Sequence, residues 1–139
     1  MPTTFVLLMM THFVGDFVFQ SDWMALNKSK SFGALTVHVN AYVAAFLFPM
    51  YLSGMPVNRL VSFVVVTWVT HFLTDALTSR ATSALWFFRL DPLDGCDPPF
   101  QTEWRYVPGK RHWFFVMIGF DQLIHAVTLM YTYAWLVAR

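Results

Sequence analysis

At 139 residues the chain has the length of one domain, and residues 1–139 read as a single membrane domain. Hydrophobic residues make up 57% and charged residues 12%, where a soluble domain is roughly a quarter charged. The polar stripes are too narrow for the solvated helix faces a soluble protein needs, so a membrane protein is expected. A net charge of +1 gives no reason to expect a polyanion such as nucleic acid as partner.

Four apolar segments follow in chain order. The first runs from about Thr3 to Gln20, after Pro2. It lacks a basic leader and carries His12 and Asp16 mid-span, which is unlike a cleavable signal peptide. Residues 21–31 form a polar break, and a second span covers about 32–52. Ser53, Gly54 and Pro56 mark a tight turn into a third span over about 57–79. A fourth covers about 112–137. Each is near the ~20 residues that a bilayer core demands. Trp23, Tyr51, Trp104, Trp113 and Trp135 fall near span ends, as an aromatic belt requires. The expected fold is all-α: a polytopic membrane protein, a four-transmembrane-helix bundle with a long cytoplasmic loop between helices 3 and 4.

In that loop, residues 80–111, the stretch SALWFFRL suits a short helix lying in the interface, as a lid over the bundle's mouth or as packing against its end. The following DPLDGCDPPF reads as a solvated turn, since its Asp spacing fits no EF-hand.

Orientation follows from the basic residues. Lys28, Lys30, Arg80, Arg89, Arg105, Lys110 and Arg111 fall on the side of the two large loops, against Arg59 and Arg139 on the other. The positive-inside rule places both loops in the cytoplasm and both termini outside, in the bacterial inner membrane. Cys96 then lies in a reducing compartment as an ordinary loop thiol.

The ionisable residues inside the spans carry the chemistry. THFVGD and THFLTD each hold His-x-x-x-Asp, and FDQLIHA reverses it. Residues four apart stack on one helix face, so each pair offers two ligands to one point. Counted at 1.5 Å per residue, His12, Asp16, His38, His71, Asp75 and Asp121 share a layer roughly 6 to 15 Å below the cytoplasmic surface, with His125 slightly deeper. Buried ionisable groups are costly in a membrane and are usually functional. Imidazole with carboxylate suits a divalent transition metal, zinc above all, and seven candidate ligands allow one or two ions. The alternatives are a proton or ion pathway and a structural polar network.

Gln20, Asn40, Thr67 and Gln122 lie near this layer, where they could orient ligands or simply pack helices. A metal near the interface suggests hydrolysis, with Asp16 or Asp75 outside the coordination sphere as general base. Lys28, Lys30, Arg80, Lys110 and Arg111 ring the same mouth, where they could hold a lipid head group or serve only as anchors. The expected function is a metal-dependent hydrolase acting on a lipid or other membrane-delivered substrate. The alternatives are a metal-ion or proton transporter or channel, and a non-enzymatic membrane effector whose cluster holds the fold. Membrane lipid is the expected partner, and a homo-oligomer is compatible with the chain.

The stretches HFVGDFVFQSDWMALNKSKS, LTVHVNAY, THFLTDALTSR and FDQLIHA together resemble the family known as domain of unknown function 3307, small membrane proteins of bacteria and their phages. The resemblance covers roughly residues 8–42, 67–80 and 112–130. It implies a multi-helix membrane protein whose important residues are His12, Asp16, Gln20, Trp23, Asn27, Lys28, His38, His71, Asp75, Asp121, Gln122 and His125. It implies no reaction.

Overall fold

The computed structural model describes residues 2–87 and 110–137, and every element among them is helical. Helix α1 spans Pro2–Phe13 and runs directly into a π-helical turn, Val14–Val18, closed by the Phe19 N–H donating to the Val14 carbonyl at 2.9 Å. The segment expected as a polar break holds a short helix, α2, Asp22–Asn27. Its cause is local: the Ser21 hydroxyl accepts from the Met24 N–H and caps a first turn that begins with Asp22. Ser31 caps α3, Phe32–Leu52, in the same way. Gly54, at φ +81°, makes the turn into α4, Val57–Phe87, and α5 spans Lys110–Val137.

The third span, expected to end near residue 79, continues to Phe87. Within this extension the Thr82 hydroxyl donates to the Thr78 carbonyl. The start of SALWFFRL is therefore the end of α4 and not a separate interfacial helix. The rest of that stretch, DPLDGCDPPF and Cys96 lie outside the described residues.

Three helices are long and apolar enough to cross a membrane, over Phe32–Leu52, Val57–Ser83 and Trp113–Val137. The first apolar helix, Thr3–Val18, is shorter. At 1.5 Å per residue it reaches about 24 Å, less than the ~30 Å hydrocarbon core. Helix α4 packs against both α3 and α5, while α1 and its π turn lie against α3, with α1 also touching α5.

The interior divides along the helix axes. Towards the 53–56 turn it is apolar, with Phe46, Met50 and Phe63 fully buried beside Leu60, Leu129 and Leu136. Towards the opposite end it is polar. The outer surface is apolar as well: Phe48, Leu77 and Tyr131 are 69%, 75% and 74% exposed. Such a surface is stable against lipid tails and would be a large aggregating patch in water.

Candidate metal centre

Four helical segments deliver the polar end of the interior. The π turn carries Asp16, α3 carries His38, α4 carries His71 and Asp75, and α5 carries Asp121 and His125. All but Asp121 are buried, with His38 at 0% and Asp75 at 1% exposure. One ligand atom from each of Asp16, His38, His71 and Asp75 lies within 4.8 Å of the other three. A second group, Asp16, Asp121 and His125, meets the same limit and shares Asp16.

The details show how tightly the atoms converge. His38 Nε2 lies 3.1 Å from Asp16 Oδ1, 3.3 Å from Asp75 Oδ2 and 3.3 Å from His71 Nε2. His71 Nε2 in turn lies 3.6 Å from Asp16 Oδ1 and 3.7 Å from Asp75 Oδ2. On the other side of Asp75, Oδ1 lies 3.1 Å from His125 Nε2, which is itself 3.4 Å from Asp121 Oδ1. The His71 and His125 rings stack with centroids 4.0 Å apart.

Charge makes this arrangement informative. With carboxylates ionised and imidazoles neutral, Asp16, Asp75 and Asp121 contribute three negative charges and Lys28 one positive, leaving two negative. Uncompensated charge away from water costs several kcal/mol per ion. Two imidazolium ions would also close the count. Placed on His38 and His125, each 3.1 Å from an aspartate oxygen, they would avoid the close His38–His71 and His71–His125 contacts. One divalent cation closes it as well, and imidazole with carboxylate is a donor set that such ions accept.

Two expected ligands behave differently from each other. Asp16, carried on the π turn, joins the inner group. His12 instead hydrogen-bonds through Nδ1 to the Tyr42 hydroxyl at 2.9 Å and through Nε2 to Gln122 Oε1 at 3.0 Å, outside both ligand groups. Since Gln122 Oε1 can only accept, His12 carries its proton on Nε2 and takes the Tyr42 hydroxyl proton at Nδ1. The Gln122 amide nitrogen donates to Asp16 Oδ2 at 2.6 Å and Asp121 Oδ2 at 3.2 Å. Gln122 thus bonds two carboxylates and, through His12, ties α1 to α5.

The other expected residues separate. Gln20 lines the cavity described below, with a buried Oε1 that has no partner among the described residues, and Thr67 Oγ1 is likewise buried without one. Asn40 lies on the exposed face and accepts from Trp68 Nε1 at 2.8 Å, away from the cluster. Arg80 sits with its guanidinium carbon 4.5 Å from the centre of the Phe32 ring. The Lys110 and Arg111 side chains lie outside the described residues. Lys28 reaches further in than a mouth residue would, donating to Asp75 Oδ2 at 3.0 Å with Nζ 3.4 Å from His38 Nε2.

Three residues went unselected in the sequence. Tyr42 stacks on His71 with centroids 3.8 Å apart while bonding His12. Its position four residues after His38 was the available signal. Thr78 donates to Asp121 Oδ1, and lies seven residues after His71 on the same face of α4. Gly15 packs against α3 so closely that an added Cβ would sit 3.0 Å from Tyr42 Cδ2 and 3.1 Å from the Tyr42 carbonyl oxygen.

A cavity of about 480 Å³ opens onto this cluster. Asp16, Asp75, Asp121 and Gln122 line it together with Lys28 and Lys30. Ser and Thr hydroxyls of α4 line it too, and Phe17, Leu26, Phe114 and Ile118 contribute apolar surface. It joins the ligand atoms to the end of the bundle that carries α2.

The family described as Protein of unknown function (DUF3307) matches residues 4–138, almost the whole chain. No curated protein and no solved structure matches it.

Proposed function

We propose that this chain, which belongs to the DUF3307 family, is a four-span inner-membrane protein that holds a divalent metal, zinc by preference, and uses it to hydrolyse a lipid or other membrane-delivered substrate. The observation that carries this reading is the convergence of Asp16, His38, His71 and Asp75 from three helical segments within 4.8 Å, beside a cavity of about 480 Å³. Metal centres in helix bundles are built from such inward-facing pairs. When bound, the ion supplies Lewis acidity and lowers the pKa of a coordinated water.

The chain's own residues supply the rest. Asp16, Asp75, His38 and His71 hold the ion, and both carboxylates are occupied among the histidines. Asp121 lines the cavity and stands next to it, held by Gln122 and Thr78, and in this reading it takes the base role. Lys30, and Lys28 once released from Asp75, face the anionic part of the substrate, while Phe17, Leu26, Phe114 and Ile118 accept its apolar part. In the proposed topology the cavity opens at the cytoplasmic leaflet, where a lipid's head-group linkage lies, and α1 makes the fourth span by tilting the bundle or thinning the bilayer around its short apolar length.

A transport pathway is less well supported. It would line both halves of the interior with polar groups or water. Beyond His38 and His71 the interior is closed by Phe46, Met50 and Phe63, each 0% exposed.

The test uses protein reconstituted with bacterial phospholipids and loaded with zinc. We expect metal-dependent loss of intact lipid by mass spectrometry, abolished in Asp121→Asn while the protein still binds metal. No lipid turnover by metal-loaded protein, together with metal or proton flux through sealed vesicles, would replace hydrolysis with transport.

A further inference from the structure

We propose that the cluster holds two cations, bridged by the carboxylates of Asp16 and Asp75, with His38 and His71 on one ion and His125 and Asp121 on the other. This rests on the metal-centre reading above and deepens it.

Each bridging carboxylate divides its two oxygens between two neighbourhoods. Asp75 turns Oδ2 towards His38 and His71, at 3.3 and 3.7 Å, and Oδ1 towards His125 Nε2, at 3.1 Å. Asp16 turns Oδ1 towards the same two histidines, at 3.1 and 3.6 Å. Its Oδ2 is held by Gln122, whose amide also holds Asp121 Oδ2. Asp16 is also the member common to the two groups of close ligand atoms. A carboxylate that faces histidines on both sides cannot serve both through one ion, because a monodentate oxygen 2.0–2.2 Å from zinc leaves its partner oxygen directed elsewhere. Two ions use all four oxygens, and dinuclear sites in helix bundles are built on shared carboxylates.

Charge gives Lys28 a part. Three carboxylates with Lys28 in place carry two negative charges, which one divalent ion neutralises. With Lys28 withdrawn the three carboxylates and two divalent ions sum to +1, a charge that a hydroxide or an anionic substrate completes. The ammonium, 3.0 Å from Asp75 Oδ2 and 3.4 Å from His38 Nε2, contacts two of the ligand atoms and so competes with an ion for them. Asp121 keeps its proposed base role, since a carboxylate held through one oxygen retains the other.

The experiment loads the detergent-purified full chain with Mn(II), removes excess by desalting, and measures manganese per chain together with its electron paramagnetic resonance spectrum. We expect two ions per chain and an exchange-coupled spectrum. His125→Ala and the isosteric Asp121→Asn should each reduce binding to one ion with an isolated-ion spectrum, in protein whose helical circular dichroism and elution volume are unchanged. One ion per wild-type chain with an isolated-ion spectrum overturns the second site and leaves the metal-centre reading intact. Two uncoupled ions, or two that both persist in His125→Ala and Asp121→Asn, also overturn it. No bound metal at all overturns both.

Discussion

Single residues set the precision of the cluster. Gly15 lets the π turn lie on α3, where an alanine Cβ would meet the Tyr42 carbonyl oxygen at 3.1 Å. That oxygen belongs to the backbone of a packed helix and cannot withdraw as a flexible side chain could. Overpacking of this kind costs about 1–3 kcal/mol, against the ~1 kcal/mol that glycine-to-alanine returns in helix propensity. Gly15→Ala should therefore lower the thermal midpoint in detergent and weaken metal binding through Asp16. A raised midpoint would show that the contact relaxes freely. Tyr42→Phe keeps the ring stacked on His71 but leaves His12 Nδ1 unpaired in a buried place. The expected cost is about 1–3 kcal/mol of stability, with metal stoichiometry unchanged. Loss of metal in Tyr42→Phe would mean that His12 and Tyr42 belong to the coordination itself.

At the scale of elements, α2 is the piece that moves Lys28 from the surface into the cluster. Without that short helix and its Ser21 cap, a lysine ten residues before His38 would have no reason to meet it. Lys28→Met removes the competing ammonium, so metal should bind about tenfold more tightly in a chelator competition, equivalent to roughly 1.4 kcal/mol. The metal-free variant should be less stable than wild type, because Asp75 loses its charge partner. Equal affinity in the two proteins would show that Lys28 stands aside from the ion. The same element marks the limit of what the sequence made legible. The apolar helices could be read from length and hydropathy, Asp16, His71, Asp75, Asp121 and His125 from their four-residue pairs, and His38 from its depth alone. The π turn that carries Asp16 could not, since a single register shift leaves no mark in a hydrophobic pattern. The inward reach of Lys28 was equally hidden, because a basic residue near a span end satisfies the positive-inside rule whether it points out or in. Asn40 failed for the opposite reason: its position along α3 matched the layer, but its side chain faces outward to Trp68.

The whole molecule is a bundle with one polar end and one apolar end, and its function depends on which way that axis points. In the topology proposed above, that polar end faces the cytoplasm. The single thiol, Cys96, should then resist an impermeant maleimide in intact cells and react after lysis. Labelling in intact cells would put the cluster in the outer leaflet and its substrate outside the cell. The central claim is that these buried acids and imidazoles are ligands and not a self-paired network. The most direct measurement is elemental analysis of the full chain, purified in detergent without chelators, beside His71→Ala prepared in parallel. The account predicts at least about one equivalent of a transition metal in the wild-type chain and a marked fall in the variant, as expected of a site whose ligands sit within 4.8 Å of one another. A wild-type chain that is folded and metal-free, and that stays so when zinc or manganese is supplied, would contradict it.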